Sequence, residues 1–598
     1  MTMAKRMRRL FRRELVIGGL VIGASVHLGS SSAFAQAGAV ESGPAVWEWP
    51  GLRGTAAKPT DEAVKQTLAQ PTVAALLREM ERAMRDLRLP RREPPYFIAY
   101  TLLDVEQRLV VGQLGTVVQS QVQAGRTLQP EVRVGSRALD NSFAFGGGGF
   151  GLEGLGNSLV RDDDEMALRA GIWTATDGAY RAAVAALEQK ATQRASEREL
   201  EARPFDFAPA EPTQLILPDP EPLPPVEELE RLVRVVSKEF ADFPEIHESV
   251  VTAAAWRIRR TLLTSEGTLV VTPTQVVEVN IECNTQADDG MPLSHESTIF
   301  SSLDAEDLRS AARRLATELT ELRHAPLVPD YYGPVLFTGV AAPQIVQELL
   351  SYSVVGTPVP QEGPWARRLN RRVLPETVEL VDDPTSSTLH GQPLMGSYVA
   401  DDEGVLAERV HLVERGFLKT LLMSRTPSRD IGKSNGHGRS GYASWARGTV
   451  GNLILSTRLP TALTRQRKLL LSLNKGAGDI GGLEIERLSP RDFGTNGAAP
   501  PAVERAFLVS PQGKRTLVRG VNLSEMQVRD LKDVVSVGNE PVVYHVLQSA
   551  GGFSIPTSFV SPALLFEEIE VKKPNESLAL PKFLPKRAAP SAGPGEKN

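Results

Sequence analysis

The chain has 598 residues, a net charge of −5, 41% apolar residues and one cysteine, Cys283. That length predicts more than one domain, and the acidic balance without a basic cluster outside the chain ends argues against a nucleic-acid surface. A single cysteine excludes an internal disulfide, so stability has to come from packing.

The first residues read as an export signal. Lys5, Arg6, Arg8, Arg9, Arg12 and Arg13 form a basic region, Leu15 to Leu28 is an apolar run short for a membrane span, and Ala33-Phe34-Ala35 is a small-x-small cleavage site. Cleavage after Ala35 removes six bases and one acid (Glu14), which takes the net charge to −10 and leaves no membrane span. Arg8-Arg9-Leu10-Phe11 fits a twin-arginine signal, and an ordinary secretory signal rich in arginine fits as well. A periplasmic or extracellular location is expected.

Residues 36–202 read as a first α/β module. Leu76, Leu77, Met80, Met84 and Leu87 repeat at helical spacing over Val73 to Leu87. Strand-like runs follow at Phe97 to Leu103, Arg108 to Val111, Thr116 to Val122 and Glu131 to Val134. Gly149-x-Gly151-x-x-Gly154 matches a dinucleotide fingerprint by letters, but no helix opens at its third glycine, so it reads as a loop. Ala179 to Ala202 reads as a helix with one polar face. Residues 203–225 hold eight prolines and read as a linker.

The order then begins again over residues 226–325. Leu229, Leu232, Val233, Val236 and Phe240 mark a helix over Val226 to Phe240. Runs at Ser249 to Ala254, Arg257 to Leu263, Thr268 to Val271 and Val276 to Glu282 read as strands, and Leu308 to Leu322 as a helix. Helix, strands, helix thus recurs, which predicts a repeated topology. Cys283 falls in the alternating run VVEVNIECN and reads as a small buried hydrophobe.

Residues 326–572 change to short strands and turns, and residues 573–598 read as a disordered tail. Pro334 to Tyr352 predicts a strand at Val335 to Phe337, a break at Gly339, and a helix with Ile345, Val346, Leu349 and Leu350 on one side. Glu408 to Val413 and Phe417 to Met423 predict a hairpin across Glu414-Arg415-Gly416, and Ala506 to Val509 with Thr516 to Val518 a second one. The fold class is therefore α+β: an N-terminal α/β region followed by a β-rich, antiparallel C-terminal domain.

Several pieces in order resemble the TldD/PmbA family. They are Thr264-Ser265-Glu266-Gly267, Asp401-Asp402-Glu403-Gly404, Gly416-x-Leu418-Lys419, Gly436-His437-Gly438-Arg439, Gly481-Gly482, Val537-Gly538-Asn539 and Ser561-Pro562-Ala563-Leu564-Leu565. The resemblance implies a metallopeptidase-like protein. In active members of the family a helix carries His-Glu-x-x-x-His and a C-terminal cysteine completes a zinc site. Members pair into dimers around a proteolytic chamber and cut small or unfolded peptides.

This chain departs from that pattern at each metal position. Aligned on its glutamate, the helix reads Gln347-Glu348-Leu349-Leu350-Ser351-Tyr352, and a one-residue shift gives Val346, Gln347 and Ser351. Neither register holds a histidine, and Cys283 lies far from the C-terminus. Zinc takes thiolate, imidazole or carboxylate, so no cofactor is expected, and without zinc nothing activates the attacking water. The mature histidines, His437 among them, show no i, i+3 or i, i+4 pair. Asp382-Asp383 and Asp401-Asp402 read as solvated turn residues and strand ends.

The expectation is an exported, zinc-free partner or peptide-binding subunit of a proteolytic complex. It would be a homodimer, or a heterodimer with a TldD-like chain. The alternative is an active peptidase with an atypical site that works through Glu348. Gly436, His437, Gly438 and Arg439 are the expected peptide-contacting turn, its glycines for close approach and Arg439 for a carboxylate.

Overall fold

The computed structural model describes residues 61–143, 157–196, 205–356, 363–440, 445–474, 480–489, 502–550 and 553–573. The stretch read as an export signal, the glycine-rich stretch over residues 144–156 and the tail beyond residue 573 lie outside the described residues. The fold is α+β.

Helix α1 (Asp61–Ala69) leads into α2 (Pro71–Asp86), whose Leu76, Met80 and Ala83 face inward and whose first position is a proline. Two long strands follow, β1 (Pro95–Gln113) and β2 (Thr116–Val134), joined by Leu114 and Gly115, both at positive φ. Helix α3 spans Glu165–Ser196 and starts well before the expected Ala179. Its early turns bury Leu168 and Ile172, but small residues and threonines between them weaken the periodic signal. The second round is α4 (Val226–Lys238), β3 (Glu248–Thr264), β4 (Leu269–Gln286), a shorter strand at Pro292–Phe300, and α5 (Ala305–Arg323). The Asp304 carboxylate caps α5 by accepting from the Asp307 amide at 2.9 Å.

The pairs of short strands expected in each round are continuous strands. Polar stretches such as Asp104 to Gln107 suggested breaks, yet the register from Ala99↔Thr264 to Gly112↔Val251 runs through them unbroken. Ladder hydrogen bonds come from the backbone and tolerate polar side chains. Both rounds share one sheet, seven-stranded among the described residues, because β1 pairs antiparallel with β3. The proline-rich stretch adds a three-residue edge strand, Gln214–Ile216, parallel to β4.

Alternation divides this sheet into two faces. Ile98, Tyr100, Leu102 and Val110 of β1 point to the helices. Phe97 and Ala99, with Leu262 and Val270 from the neighbouring strands, point the other way and pack with Phe207 and Ala400. That second face meets the C-terminal half.

The C-terminal half holds two further mixed sheets. Most pairings are antiparallel, but Asn452–Thr457 runs parallel to Phe553–Ser561, and β5 (Tyr331–Phe337) runs parallel to Gly482–Leu488. The expected return strand Phe417 to Met423 pairs only at Phe417–Leu418, around Arg415 and Gly416 at positive φ. Helix α6 (Ala341–Leu350) follows β5 and packs against strands of both sheets.

Phe207 ties the proline-rich stretch to both halves of the chain. The guanidinium carbons of Arg133 and Arg425 lie 3.7 and 3.9 Å from its ring centroid. Two cations that close to one centroid must occupy opposite faces. Backbone bonds flank the ring: Phe207 N–H donates to the Arg137 carbonyl and Ala208 N–H to the Arg425 carbonyl. Replacing this fully buried ring by alanine (Phe207→Ala) should cost ~3–5 kcal/mol in denaturant unfolding. Phe207→Leu, which keeps most of the volume and loses the cation stacking, should cost roughly 1–3 kcal/mol. A Phe207→Leu loss well below about 1 kcal/mol would show that the stacking contributes little.

Candidate functional site

Helix α6 is held by apolar packing and one polar clasp. Ile345, Val346 and Leu350 are fully buried. The Gln344 amide donates to the Leu488 carbonyl at 2.9 Å and accepts from the Leu488 amide at 2.8 Å, which fixes the helix to the strand beside it. Gly339, at φ +53, makes the bend between β5 and α6. Of the predicted site residues, Gln347 is buried, Glu348 is half-buried on the last turn, and Tyr352 lies beyond the helix end and is 52% exposed.

The donor set here does not fit zinc. One carboxylate, one buried amide and a phenol on the turn beyond offer a single good ligand. Among the described residues, no group of three or more His, Cys, Asp or Glu side chains is arranged to hold a metal ion. Cys283 is buried, and burial first of all pushes its thiol up to about 12.

The turn expected to contact peptide is mostly internal. Gly436, His437 and Gly438 are buried, so they present no surface to a ligand, and only Arg439 retains some exposure. Gly436 sits at φ +71, and a Cβ there would run into the Leu406 carbonyl. At Gly438 a side chain would meet the Asp401 and Glu403 carboxylates. His437 places Nδ1 2.9 Å from the Asn435 carbonyl and Nε2 3.1 Å from Asp382 Oδ1. The glycines serve packing of the acidic turn against this one, which spacing alone does not reveal.

The aspartate pairs are also internal, contrary to the reading as solvated turns. Asp382, Asp383 and Asp401 are buried, and the Asp402 side chain is 6% exposed. Asp401 accepts from the amides of Glu403, Val405 and Gly438 at 3.0, 2.9 and 2.8 Å. Asp402 Oδ1 lies 3.4 Å from Arg260, Oδ2 lies 3.2 Å from Arg439, and Oδ2 accepts from the Ser440 amide at 2.8 Å. Burial pushes Asp402 upward, but Arg260 and Arg439 outweigh it and hold its carboxylate below the usual range. Burial raises Asp401 to about 7, and burial with the Asp401 charge raises Glu403 to about 8. The three amide donors on Asp401 favour its ionised form, so the proton kept at neutral pH sits on Glu403.

Asp402 and Arg439 line a cavity of about 320 Å³ between the open face of the first sheet and the C-terminal half. From β3 come Trp256, Ile258 and Arg260, alternate residues on the face away from the helices. Tyr398 and Pro556 close the other side. Gln347, Glu348 and Tyr352 do not line this cavity. Sequence reading missed Trp256, Ile258, Arg260 and Tyr398. The period-2 order Trp-x-Ile-x-Arg-x-Leu over residues 256–262 was a usable signal, because it places an arginine on an otherwise apolar face.

Glu403 yields a pH prediction. Its folded-state value, about 8, is above the ordinary carboxylic range. Between roughly pH 4.5 and 8 the unfolded chain releases a proton that the folded chain keeps, so this group's stabilisation is complete at low pH and is lost as pH rises through the folded value. Glu403→Gln removes that titration. Its stability deficit relative to the parent should shrink, or reverse, by on the order of 2 kcal/mol from pH 5 to pH 8 in thermal or urea unfolding. A deficit that stays constant with pH would place the proton elsewhere.

Residues 330–573 match the PmbA/TldA metallopeptidase C-terminal domain. A metalloprotease of Archaeoglobus fulgidus is 33% identical over 130 residues, which cover 22% of this chain and 29% of that protein. A metalloprotease of Methanothermobacter thermautotrophicus is 27% identical over 184 residues, or 30% of this chain and 39% of that protein. The chain thus spans well under half the length of these curated relatives. The crystal structure of TldE from Thermococcus kodakarensis superposes with a TM-score of 0.56 at 13% identity, over 84% of this chain and 100% of that one, a likeness of fold. The C-terminal domain of this chain, residues 330–573, thus belongs to the TldD/PmbA family of metallopeptidase-related proteins.

Proposed function

We propose that this chain is a zinc-free member of its family: an exported peptide-binding subunit that works beside a catalytic, TldD-like partner or as a homodimer. The observation that carries this reading is the donor chemistry of α6. It keeps Glu348 and lacks an imidazole or thiolate in either register, so nothing there binds zinc, lowers the pKa of water or polarises a peptide carbonyl. The cavity beside Arg439 supports the binding half of the proposal, since it is concave, mostly apolar and has a few convergent polar groups.

A second reading, an atypical active peptidase, draws on the retained Glu348 and on the curated relatives being named metalloproteases. Metal analysis of the purified, tag-free mature chain, with a casein and peptide digest, separates the two. The proposal expects far less than stoichiometric zinc and no cleavage by the chain alone. Tightly held stoichiometric zinc would overturn it. So would cleavage that survives dialysis against a chelator and disappears in Glu348→Ala.

A further inference from the structure

We propose that the cavity between β3 and the acidic turn is a carboxylate pocket that takes the C-terminal end of a peptide with an apolar last side chain. The proposal rests on the peptide-binding reading above and names the part of the peptide recognised.

Three charged side chains line the cavity: Arg260, Arg439 and Asp402. Two guanidinium groups therefore share one carboxylate, and the lining carries one net positive charge. That sharing is loose. Asp402 lies 3.4 Å from an Arg260 terminal nitrogen and 3.2 Å from Arg439 Nε, both longer than the roughly 2.7–2.9 Å of a committed charged hydrogen bond. Arg439 Nε is buried without a hydrogen-bond partner among the described residues. Among the described residues, Arg260 makes one further hydrogen bond, to Ser440 Oγ at 3.5 Å. The Tyr398 ring lies 4.4 Å below the Arg439 guanidinium and steadies it. Among the described residues, neither fork has a bidentate partner.

The charge selects the ligand class. One net positive charge suits a monoanion such as a carboxylate better than a phosphate dianion. Trp256, Ile258 and Pro556 supply an apolar wall for the ligand's body. A volume of about 320 Å³ holds a residue or two, so the end of a chain enters and a folded segment does not. An internal, uncharged stretch of peptide would displace water from the arginines without replacing their missing anion, a desolvation cost with no return.

Calorimetric titration of the full mature chain tests this with four ligands. They are N-acetyl-phenylalanine, its amide, and an N-acetylated hexapeptide ending in phenylalanine as free acid and as amide. Each free acid should bind ~10-fold or more tightly than its amide. Arg439→Gln should bring acid and amide together. Ile258→Trp, which fills the cavity with all three ions in place, should abolish acid binding even if Arg439→Gln impairs folding. Equal affinities of acid and amide, binding that survives Ile258→Trp, or no binding of either acid overturns the pocket. If the hexapeptide amide binds as well as its acid, the pocket falls and the peptide-binding reading stands. If N-acetyl-phenylalanine binds and the hexapeptides do not, the site takes small carboxylates, and both its assignment to peptide ends and the peptide-binding reading fall.

Discussion

Arg425 is the side chain on which the two halves of the molecule meet. It is 2% exposed. One terminal nitrogen lies 2.9 Å from Glu266, in the turn between β3 and β4, Nε donates to the Ala208 carbonyl at 2.9 Å, and the guanidinium stacks on Phe207. Its backbone amide donates to Glu403 at 2.6 Å. The turn of the first sheet, the proline-rich stretch and the acidic turn of the C-terminal half therefore converge on one residue. A buried guanidinium is costly unless its donors are used, and that cost makes the arrangement specific. A displaced Phe207 segment would leave a buried cation without its carbonyl partner.

The acidic turn repeats this logic from the other side. Asp401 is satisfied by three amides, Asp402 by two arginines and an amide, and Glu403 by the Arg425 amide and a proton. The close approach of Gly438 depends on the absence of a side chain, since a Cβ would strike both Asp401 and Glu403. Four consecutive residues, Asp-Asp-Glu-Gly, look in the sequence like a hydrophilic surface turn. In the fold they form a desolvated seam, because Gly404 at φ +81 packs on Thr268 and Leu262 of the first sheet.

What the sequence disclosed and what it hid follow from the range of the forces involved. Helices α2, α4, α5 and α6 were legible because their apolar residues recur at the helical period and bury a single stripe or, in α6, nearly the whole surface. The α+β class and the repeated helix–strand order were legible for the same reason. The length of the four long strands was not, because their continuity comes from neighbours far away in sequence. The candidate site was half legible. Arg439 was found, but His437 and its flanking glycines looked like a surface turn. The other wall of the cavity, Trp256 to Arg260, lies some 180 residues earlier, and no local pattern brings Arg260 to Asp402.

Helix α6 and the cavity are separate parts of the fold, held by different contacts. Helix α6 is anchored by Ile345, Val346 and Leu350 in the core and by the Gln344 clasp on Leu488. Tyr352, at a position the family resemblance aligns with a metal ligand, is 52% exposed and lies outside that anchor. The cavity is different. Its charged residues are tied into the seam that joins the two halves, so a change at Arg260, Asp402 or Arg439 disturbs stability and binding together. Side chains used only for chemistry can be replaced at little structural cost, whereas those that also support the interface are retained by stability alone. The fold thus constrains the cavity far more tightly than the exposed end of helix α6.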